Sequence, residues 1–512
     1  MQGYIIAHDV GTGGNKAVLV TPQGEVRGRT MATYDTTYPR PGWAEQQPVA
    51  WWEAIAKSTR TLLEQTGVSP REVLGVAFSA QMLGVVPVDA QGAPLRPGII
   101  WMDGRAVDQA KQVMARLGGP RVFAQIVGAT LTGKDILPKL LWLKQREPEV
   151  FRRSAKFLDV NGYLLRCATG EMTCDWSAAS VTGLFNRSKK RWDDFLIRFF
   201  GLSREKLPAA VSSTTRVGGL TRQAAADCGL LEGTPVFAGA GDAPSCVVGS
   251  GALGEGEGHV YLGTSGWVVM ASGKNPVGKH GMAAIQSGDP SKYMLIAEMQ
   301  TTGACLQWIA DQFYRHEQQD PAIANVFQLM DDAVERVPPG SDYLIFTPWL
   351  YGERTPVSDL FVRSTFVNLS YNHTREHMLR AVYEGVAYNV RWVTELMSST
   401  YGFQQDRLRA IGGGARGNPW MQIMADVTGK RIEPVPNPQI AGAVGCALIA
   451  AVGLGIYPDF AALNAIIKPE RVFEPNPDTR PVYDTLYGAY KEIYHSLQGT
   501  YGTLNRERFA VG

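Results

Sequence analysis

Two hydrophobic patterns alternate along this chain, short apolar runs and longer stretches with helical periodicity. Short runs bounded by glycine predict strands, as at residues 5–10 and 75–78. Apolar positions three and four residues apart predict amphipathic helices, as at 51–64 and 378–397. Strands that alternate with helices are typical of an α/β fold whose sheets are covered on both faces.

One local pattern occurs twice: an apolar strand, a turn that begins Gly-Thr, and a returning strand. The first turn begins at Gly11 and the second at Gly263, so they lie 252 residues apart in a chain of 512. Self-similarity at about half the chain length indicates two domains of one ancestral design. We therefore predict a first domain at residues 1–254 and a second at 255–512.

A second element, a strand that runs into glycines and then a helix, is also interpreted as a repeat. Residues 235–242 carry it in the first half and residues 408–414 in the second. On this matching, the interval from Gly11 to Gly239 is 228 residues and that from Gly263 to Gly412 is 149. The first half then holds 79 extra residues, which we expect to bind the substrate.

Charge and cysteine content exclude several classes of protein. The 50 Lys and Arg residues nearly balance 48 Asp and Glu, so no basic surface for nucleic acid or an anionic membrane is indicated. Six scattered cysteines and an N-terminus without a basic leader predict a cytoplasmic protein. The uncharged run at 440–457 is interpreted as a buried, closely packed helix, since its Gly and Ala residues dilute its hydrophobicity.

Glycine-rich hairpins let backbone N–H groups approach phosphate oxygens, because no Cβ stands in the way. A single such turn is as well explained by hairpin geometry, whereas one copy in each half predicts a pair of facing phosphate clamps. The candidate phosphate-binding residues are Gly11, Thr12, Gly13, Asn15 and Lys16 in the first clamp, and Gly263, Thr264 and Ser265 in the second.

Two carboxylates follow predicted strands in the first half. Asp9 immediately precedes the first clamp, where it could hold Mg²⁺ directly or through water. Asp242 ends a different strand and could accept the proton of an attacking hydroxyl, as a general base does in phosphoryl transfer. The alternative for Asp242 is a helix N-cap, and its position in the sequence does not separate the two interpretations.

A dinucleotide site competes with this interpretation. Residues 412–417 fit the G-x-G-x-x-G pattern, follow a strand, open a helix and precede Glu433, the context of a dinucleotide-dependent dehydrogenase. That alternative leaves the two Gly-Thr turns unexplained. A second alternative, an actin-like ATPase module, shares both clamps but phosphorylates no small molecule.

With these residues identified, the whole chain resembles the FGGY carbohydrate kinases, and among them the xylulokinases. The resemblance is carried, in chain order, by HDVGTGGNKAVLV at 8–20, SAQMLG at 79–84, IIWMDGR at 99–105, GAGDAPS at 239–245, LGTSG at 262–266, GERTP at 352–356 and GGGARGNPWMQIMADVTG at 412–429. It implies an α/β fold of two actin-like (ribonuclease H-like) domains with a deep catalytic cleft, ATP on the second domain and sugar on the first.

The resemblance also implies roles for individual residues. Asp242 resembles the catalytic base of the family, and Asp9 its Mg²⁺-associated acid. Gly412, Gly413, Gly414 and Asn418 match the adenosine motif, which accounts for the dinucleotide-like pattern. The residues that resemble sugar-facing positions are Gln81, Met82, Trp101, Asp103 and Arg105, together with Asp242.

Two departures bear on the substrate. Leu83 and Ala243 stand where xylulokinases usually carry side chains that hydrogen-bond sugar hydroxyls. The expected activity is transfer of the ATP γ-phosphate to a small sugar, such as D-xylulose giving its 5-phosphate, with another ketose, a polyol or an aldonate as the alternative. The expected partners are this small molecule, ATP and Mg²⁺; a homodimer is left open, and neither nucleic acid nor membrane is expected.

Overall fold

The computed structural model describes residues 3–120, 122, 123 and 131–510. Its strands are β1 Tyr4–Val10, β2 Gly14–Val20, β3 Val26–Thr33, β4 Glu45–Gln46, β5 Val73–Ala80, β6 Val86–Val88, β7 Gly98–Ile99, β8 Lys156–Leu158, β9 Thr173–Asp175, β10 Phe185–Asn186, β11 Arg191–Trp192, β12 Ala209–Val211, β13 Arg216–Gly219, β14 Pro235–Gly241, β15 Gly258–Leu262, β16 Gly266–Ser272, β17 Ala283–Gln286, β18 Tyr293–Met299, β19 Ile345–Phe346, β20 Phe366–Val367, β21 Arg407–Ile411 and β22 Arg431–Pro434. Its helices are α1 Pro48–Thr66, α2 Val107–Arg116, α3 Ile136–Arg146, α4 Pro148–Arg153, α5 Val160–Thr169, α6 Trp176–Ser180, α7 Asp194–Phe199, α8 Arg222–Cys228, α9 Asp242–Ser250, α10 Gly303–Phe313, α11 Arg315–Gln319, α12 Val326–Glu335, α13 Arg375–Tyr401, α14 Asn418–Thr428, α15 Ala441–Gly453 and α16 Arg480–Ala510.

Each half is built on a mixed sheet. The first has the order β13-β14-β5-β1-β2-β3, and the second has the order β17-β18-β16-β15-β21-β22. In the first, β1 pairs antiparallel with β2 and parallel with β5; in the second, β15 pairs antiparallel with β16 and parallel with β21. The repeated hairpins therefore occupy the same place in two related sheets. This confirms the predicted α/β fold of two actin-like domains.

The sheet order corrects the second repeat. β21 pairs with the hairpin strand β15, so its counterpart in the first sheet is β5 and not β14. The counterpart of β14 is β22, because each is the next parallel strand outward. The count of 79 extra residues was therefore wrong. The insertion of the first half lies between β5 and β14, and its helices pack their own apolar cluster around Leu140 and Trp142.

Helices α9 and α15 follow the equivalent strands β14 and β22 and pack against each other at glycines. A Cβ on Gly249 would lie 1.8 Å from the Ala441 carbonyl oxygen, and one on Gly445 would lie 2.0 Å from the Ser245 carbonyl oxygen. The first thirteen residues of the uncharged run are thus a closely packed helix, as predicted, and they are almost entirely buried. Within the described part of the chain, no helix combines the length and apolarity of a membrane span.

Candidate active site

The first glycine turn joins β1 to β2. The Gly11 N–H donates to the Gly14 carbonyl oxygen at 3.0 Å. A Cβ on Gly14 would lie 2.6 Å from the Ala32 carbonyl oxygen, so this position admits only glycine. Gly13 is exposed, and a Cβ there would meet no atom within 4 Å. The tip of the turn is therefore open to a ligand from solvent.

Thr12 connects this turn to a segment predicted to face the sugar. Its hydroxyl oxygen accepts a hydrogen bond from the Trp101 indole N–H at 2.8 Å. Its carbonyl oxygen accepts another from the Gln46 side chain at 2.7 Å. Because a hydroxyl that accepts one bond still has its own proton to donate, Thr12 retains a donor for a phosphate oxygen.

Asp9 and Lys16 are directly opposite each other in the β1–β2 pair, so their side chains share one face of the sheet. The Lys16 Nζ lies 4.0 Å from the Asp9 Oδ2, and Ser79 donates to the Asp9 Oδ1 at 3.4 Å. Burial raises the pKa of Asp9, against the opposing charge of Lys16 and the hydrogen bond from Ser79. The Lys16 ammonium also donates to the carbonyl oxygen of Gln439, in the second half, at 3.5 Å.

Asn15 does not join the first clamp, contrary to the sequence prediction. Its side chain is fully buried and donates to the His8 Nδ1 at 3.1 Å and to the Ser58 hydroxyl at 2.7 Å. Successive side chains of a strand point to opposite faces, so Asn15 lies on the other face of β2 from Lys16. The Asn15 side chain contributes to the packing of α1 on the sheet and is withdrawn from the set of nucleotide-binding residues.

Asp242 stands at the junction of β14 and α9. Gly241 occupies the N-cap, so Asp242 is the first helical residue and not the cap. Its Oδ1 accepts the backbone N–H of Ala243 at 2.8 Å. Burial, and secondarily the charge of Asp9, raise the pKa of Asp242 to about 7. A carboxylate with a pKa close to neutral pH is suited to accept a proton from a hydroxyl group.

The electrostatics around Asp9 and Asp242 fit a divalent cation. The two carboxylates disfavour each other's ionisation, and Lys16 is the cation that acts on both. In the described ranges, no group of three or more His, Cys, Asp or Glu side chains could hold a metal ion. Mg²⁺ commonly takes one or two carboxylates and completes its shell with water and phosphate oxygens. Asp9 therefore fits the predicted Mg²⁺-associated position.

The second glycine turn joins β15 to β16. The Gly263 N–H donates to the Ser265 carbonyl oxygen at 3.1 Å, while the Gly263 carbonyl oxygen accepts from the Gly303 N–H, at the start of α10, at 2.8 Å. A Cβ on Gly263 would lie 2.4 Å from the ring of Tyr261, which is itself stacked on Trp267. Thr264 is exposed at the tip of the turn.

The predicted adenosine motif lies beside this second turn. Gly412 has a φ of 90°, and its N–H donates to the Pro438 carbonyl oxygen at 2.8 Å. A Cβ on Gly412 would lie 2.6 Å from the Leu262 carbonyl oxygen, which brings the two segments into contact. Gly413 is exposed with open space around it, whereas Gly414 is packed on the Trp420 ring. Asn418 is exposed at the start of α14 and accepts a hydrogen bond from Arg471.

The geometry contradicts a dinucleotide site at residues 412–417. Glu433 would have to reach a ribose, yet it lies within β22 and is buried, with its Oε2 3.3 Å from the Arg409 guanidinium. The sheet around it also contains the antiparallel strands β15, β16 and β18. This arrangement differs from the mostly parallel sheet of a dinucleotide-binding fold.

Gln81 and Met82 follow β5 and lie beside the first clamp and the catalytic strand. The Gln81 amide donates to the Gln46 side chain at 2.8 Å, and its own carbonyl oxygen is buried without a hydrogen-bond partner. A Cβ on Gly241 would lie 2.5 Å from the Met82 sulfur, so Met82 packs directly before Asp242. Trp101, bonded to Thr12, completes the group of sugar-side residues that the structure brings together.

Asp103 and Arg105 form a buried ionic cluster instead of facing a ligand, which corrects their predicted role. The Arg105 Nη2 lies 2.7 Å from the Asp103 Oδ2 and 2.6 Å from the Glu45 Oε1, and neither side chain of the Asp103–Arg105 pair is exposed. The guanidinium stacks over Trp43 at 3.7 Å from the ring centroid. Removal from solvent on all sides makes the pair a support for the Trp101 segment.

Sequence reasoning missed two residues that shape the site. The Lys139 ammonium is fully buried and donates to the carbonyl oxygens of Leu83, at 2.9 Å, and of Ile100, at 2.8 Å. The Tyr34 hydroxyl donates to the Gly11 carbonyl oxygen. A lysine inside the apolar run at 136–143 was a usable signal, because a charge on a buried helix face needs specific partners.

The two departures from the xylulokinase pattern differ in their surroundings. Leu83 has a φ of 61°, a conformation that is uncommon for residues other than glycine, and its side chain packs with the apolar cluster of the insertion. Ala243 is buried in α9, next to Asp242. Neither side chain can hydrogen-bond a sugar hydroxyl.

Comparison with known proteins agrees with this geometry. Two glycine turns in related sheets, with a carboxylate of near-neutral pKa between strand and helix, define a two-domain phosphotransferase. The family model for the N-terminal domain of the FGGY carbohydrate kinases matches residues 4–249, and that for the C-terminal domain matches residues 258–454. The chain belongs to the FGGY family of carbohydrate kinases.

Individual relatives cover nearly the whole chain. A protein named xylulose kinase from Staphylococcus epidermidis is 31% identical over 96% of this chain and 97% of its own length. A gluconokinase from Bacillus subtilis is 27% identical over 98% of this chain and 97% of its own length. The crystal structure of xylulose kinase from Rhodospirillum rubrum superposes with a TM-score of 0.86 at 28% identity, covering 97% of this chain and 99% of that one.

Proposed function

We propose that this kinase transfers the γ-phosphate of ATP to D-xylulose and forms the 5-phosphate. The observation that carries the proposal is Asp242, whose pKa is raised to about 7 at a helix start beside Asp9. The similarity to proteins named xylulose kinase over 96% of the chain supports this sugar.

In this proposal each polar group of the site has a definite task. Asp242 accepts the proton of the attacking hydroxyl. The backbone N–H groups at Gly13 and Thr264 face the phosphates from the two turns, and Lys16 adds positive charge. Mg²⁺, held near Asp9, neutralises charge on the transferring phosphoryl group when bound. Phosphoryl transfer depends mainly on positioning and electrostatics, so the precise arrangement of these groups determines the rate.

The two substrates are assigned to different halves. The adenosine of ATP lies against Gly412, Gly413, Gly414 and Asn418. The sugar lies against Gln81, Met82 and Trp101, and the buried carbonyl oxygen of Gln81, which has no partner in the structure, supplies an acceptor for a sugar hydroxyl. Closure of the cleft between the halves then excludes water from the reaction.

A second candidate substrate is an aldonate. Leu83 and Ala243 offer no hydrogen bond where xylulokinases commonly have one, and a gluconokinase is 27% identical over 98% of the chain. A site that lacks a hydroxyl's partner discriminates against that hydroxyl. The aldonate would then replace D-xylulose without any change in the role of Asp242.

The test is ADP release by the purified protein with Mg-ATP and a panel of ketoses, aldoses, alditols and aldonates, each against a blank without sugar. We expect the largest stimulation with D-xylulose. Stimulation by gluconate alone would transfer the proposal to the second candidate. Hydrolysis of ATP that no sugar stimulates would contradict both and favour an actin-like ATPase module.

Three further parts of the proposal concern organisation. We place the domain boundary between residues 254 and 255, the protein in the cytoplasm and its assembly as a homodimer. Limited proteolysis with mass spectrometry tests the boundary, because an exposed linker is cut before either domain. Light scattering after size exclusion tests the dimer, for which the expected mass is twice 55.8 kDa.

A further inference from the structure

A buried polar cluster lies beneath the end of β14, and the proposed mechanism does not use it. The strand is irregular at this point: its register against β5 shifts between Phe237 and Ala240, and Gly239 has a φ of 65°. A bulge of this kind changes the direction in which the following residues point. The orientation of Asp242 therefore depends on what holds the bulge in place.

Two side chains hold it, one on each side of Gly239. The Asn161 amide donates to the Ala238 carbonyl oxygen at 2.9 Å. The Ser177 hydroxyl oxygen accepts the Gly241 N–H at 3.0 Å. Both side chains are at least 98% buried, so no water competes for these bonds. The second bond fixes the residue immediately before Asp242.

Asp175 connects the two anchors. Its Oδ1 accepts the Ser177 hydroxyl and the backbone N–H groups of Ser177 and Ala178, and it thereby caps α6. Its Oδ2 accepts the Asn161 amide at 3.2 Å. One fully buried carboxylate thus orients both groups that contact the end of β14.

We propose that Ser177 and Asn161, oriented by Asp175, are positioning residues that fix the catalytic base Asp242 through the bulged end of β14. This inference rests on the proposed role of Asp242. It explains why polar groups are buried here at all: an apolar contact would fill the space but would not fix the direction of the strand. Since a displacement of about 1 Å can reduce a rate 100-fold, the anchors act on turnover more than on binding.

The test is a double-mutant cycle with sugar-dependent ADP release as the readout. Ser177→Ala removes the acceptor for the Gly241 N–H, and we expect kcat to fall by roughly 10-fold to 100-fold with the KM values for ATP and sugar within about twofold of wild type. In an Asp242→Asn background the same substitution should change the residual kcat by less than about twofold, because an anchor that acts through Asp242 has nothing left to position.

Ser154→Ala is the matched control. Ser154 is equally buried in the same half, and its hydroxyl donates to the Val150 carbonyl oxygen at 2.7 Å, away from β14. It should lower the urea midpoint as much as Ser177→Ala does without lowering kcat. Should Ser177→Ala not fold, Ser177→Cys, which offers a poorer acceptor of similar size, takes its place with the same expectation, and Asn161→Ala tests the second anchor.

Two results would overturn the proposal: a kcat for the Ser177 variant equal to that of Ser154→Ala, or an undiminished loss in the Asp242→Asn background. Failure of the proposed function is separate from both, because it shows in the wild-type protein as the absence of any sugar-stimulated ADP release.

Discussion

The Lys16 side chain of the first hairpin reaches the Gln439 carbonyl oxygen, at 3.5 Å, across the boundary between the two halves of the chain. The same ammonium lies 4.0 Å from Asp9. The charge nearest the proposed magnesium position is therefore shared between the halves. A movement of one half relative to the other changes the electrostatic environment of Asp9, and through it that of Asp242.

Asp242→Asn separates a catalytic carboxylate from a structural one. We expect kcat to fall by roughly 10² to 10⁴, the usual contribution of a general base, with little change in the affinity for Mg-ATP. Asp193→Asn is the control, since Asp193 caps the short helix α7 at a distance from the site and should leave turnover normal. Near-normal turnover of Asp242→Asn would show that this residue only stabilises the start of α9.

The pH dependence follows from the raised pKa of Asp242. A base must be unprotonated, so kcat/KM for the sugar should fall tenfold per unit of pH below about 7 and level off above it. The stability effect has the opposite direction: a folded-state pKa above the ordinary value stabilises at low pH, and this contribution is lost as the pH rises through 7. Urea midpoints should thus favour Asp242→Asn over wild type at pH 8 but not at pH 4; equal differences at both would contradict the assignment.

Gly13→Ala tests the first clamp without disturbing the fold. No atom lies within 4 Å of the added Cβ, so the melting temperature should stay unchanged. A methyl group at the open tip of the turn keeps phosphate oxygens from the backbone, and we expect catalytic efficiency with ATP to fall at least tenfold. Gly488→Ala, an exposed helical position with equally open space, should instead raise stability by about 1 kcal/mol and leave activity alone.

Lys139→Met removes the group that joins the Leu83 and Ile100 segments. Two buried carbonyl oxygens lose their donor, so the loops that carry Met82 and Trp101 should shift. We expect the KM for sugar to rise about tenfold while the KM for ATP stays constant. Lys144→Met on the same helix α3 removes an exposed lysine and should change neither value. A parallel rise in both KM values would indicate general unfolding instead.

Gly249→Ala tests the contact between α9 and α15. The new Cβ would lie 1.8 Å from a backbone oxygen, which no side-chain rotation can relieve. Overpacking of this kind should lower the free energy of unfolding by about 3 kcal/mol, measured from urea titrations. Gly455→Ala, beyond the end of α15 with open space around it, is a control for loss of glycine, although its φ of 73° costs some strain. A free energy of unfolding equal to that of the wild type would mean that the helices lie farther apart.

The sequence contained the hairpins and the catalytic aspartate because their signals are local. A strand, a glycine turn and a returning strand lie within some 20 residues, and so does the junction at Asp242. Asn15 was misplaced although the period of two along β2 put it opposite Lys16 in direction. Asp103 and Arg105 could not be placed, because their partner Glu45 lies almost 60 residues away and no local pattern connects them.

The counterpart of β14 was misidentified for a related physical reason. Glycines follow both β14 and β21, but they answer different needs: Gly239 adopts a positive φ within a bulge, whereas Gly412 makes room for the Leu262 backbone. Similar composition therefore suggested an equivalence that the order of strands in the sheet does not have. Strand order is set by long-range pairing, which one sequence does not display.

The glycine-lined contact between α9 and α15 has an implication for ancestry. The two helices follow equivalent strands and meet through small residues on both sides, so the contact relates like surfaces to like. Self-complementary contacts of this type are what join identical subunits about a twofold axis. A single ancestral half could have paired with its own copy in this way, and duplication followed by fusion would then have converted a symmetric dimer into one chain whose halves were free to specialise.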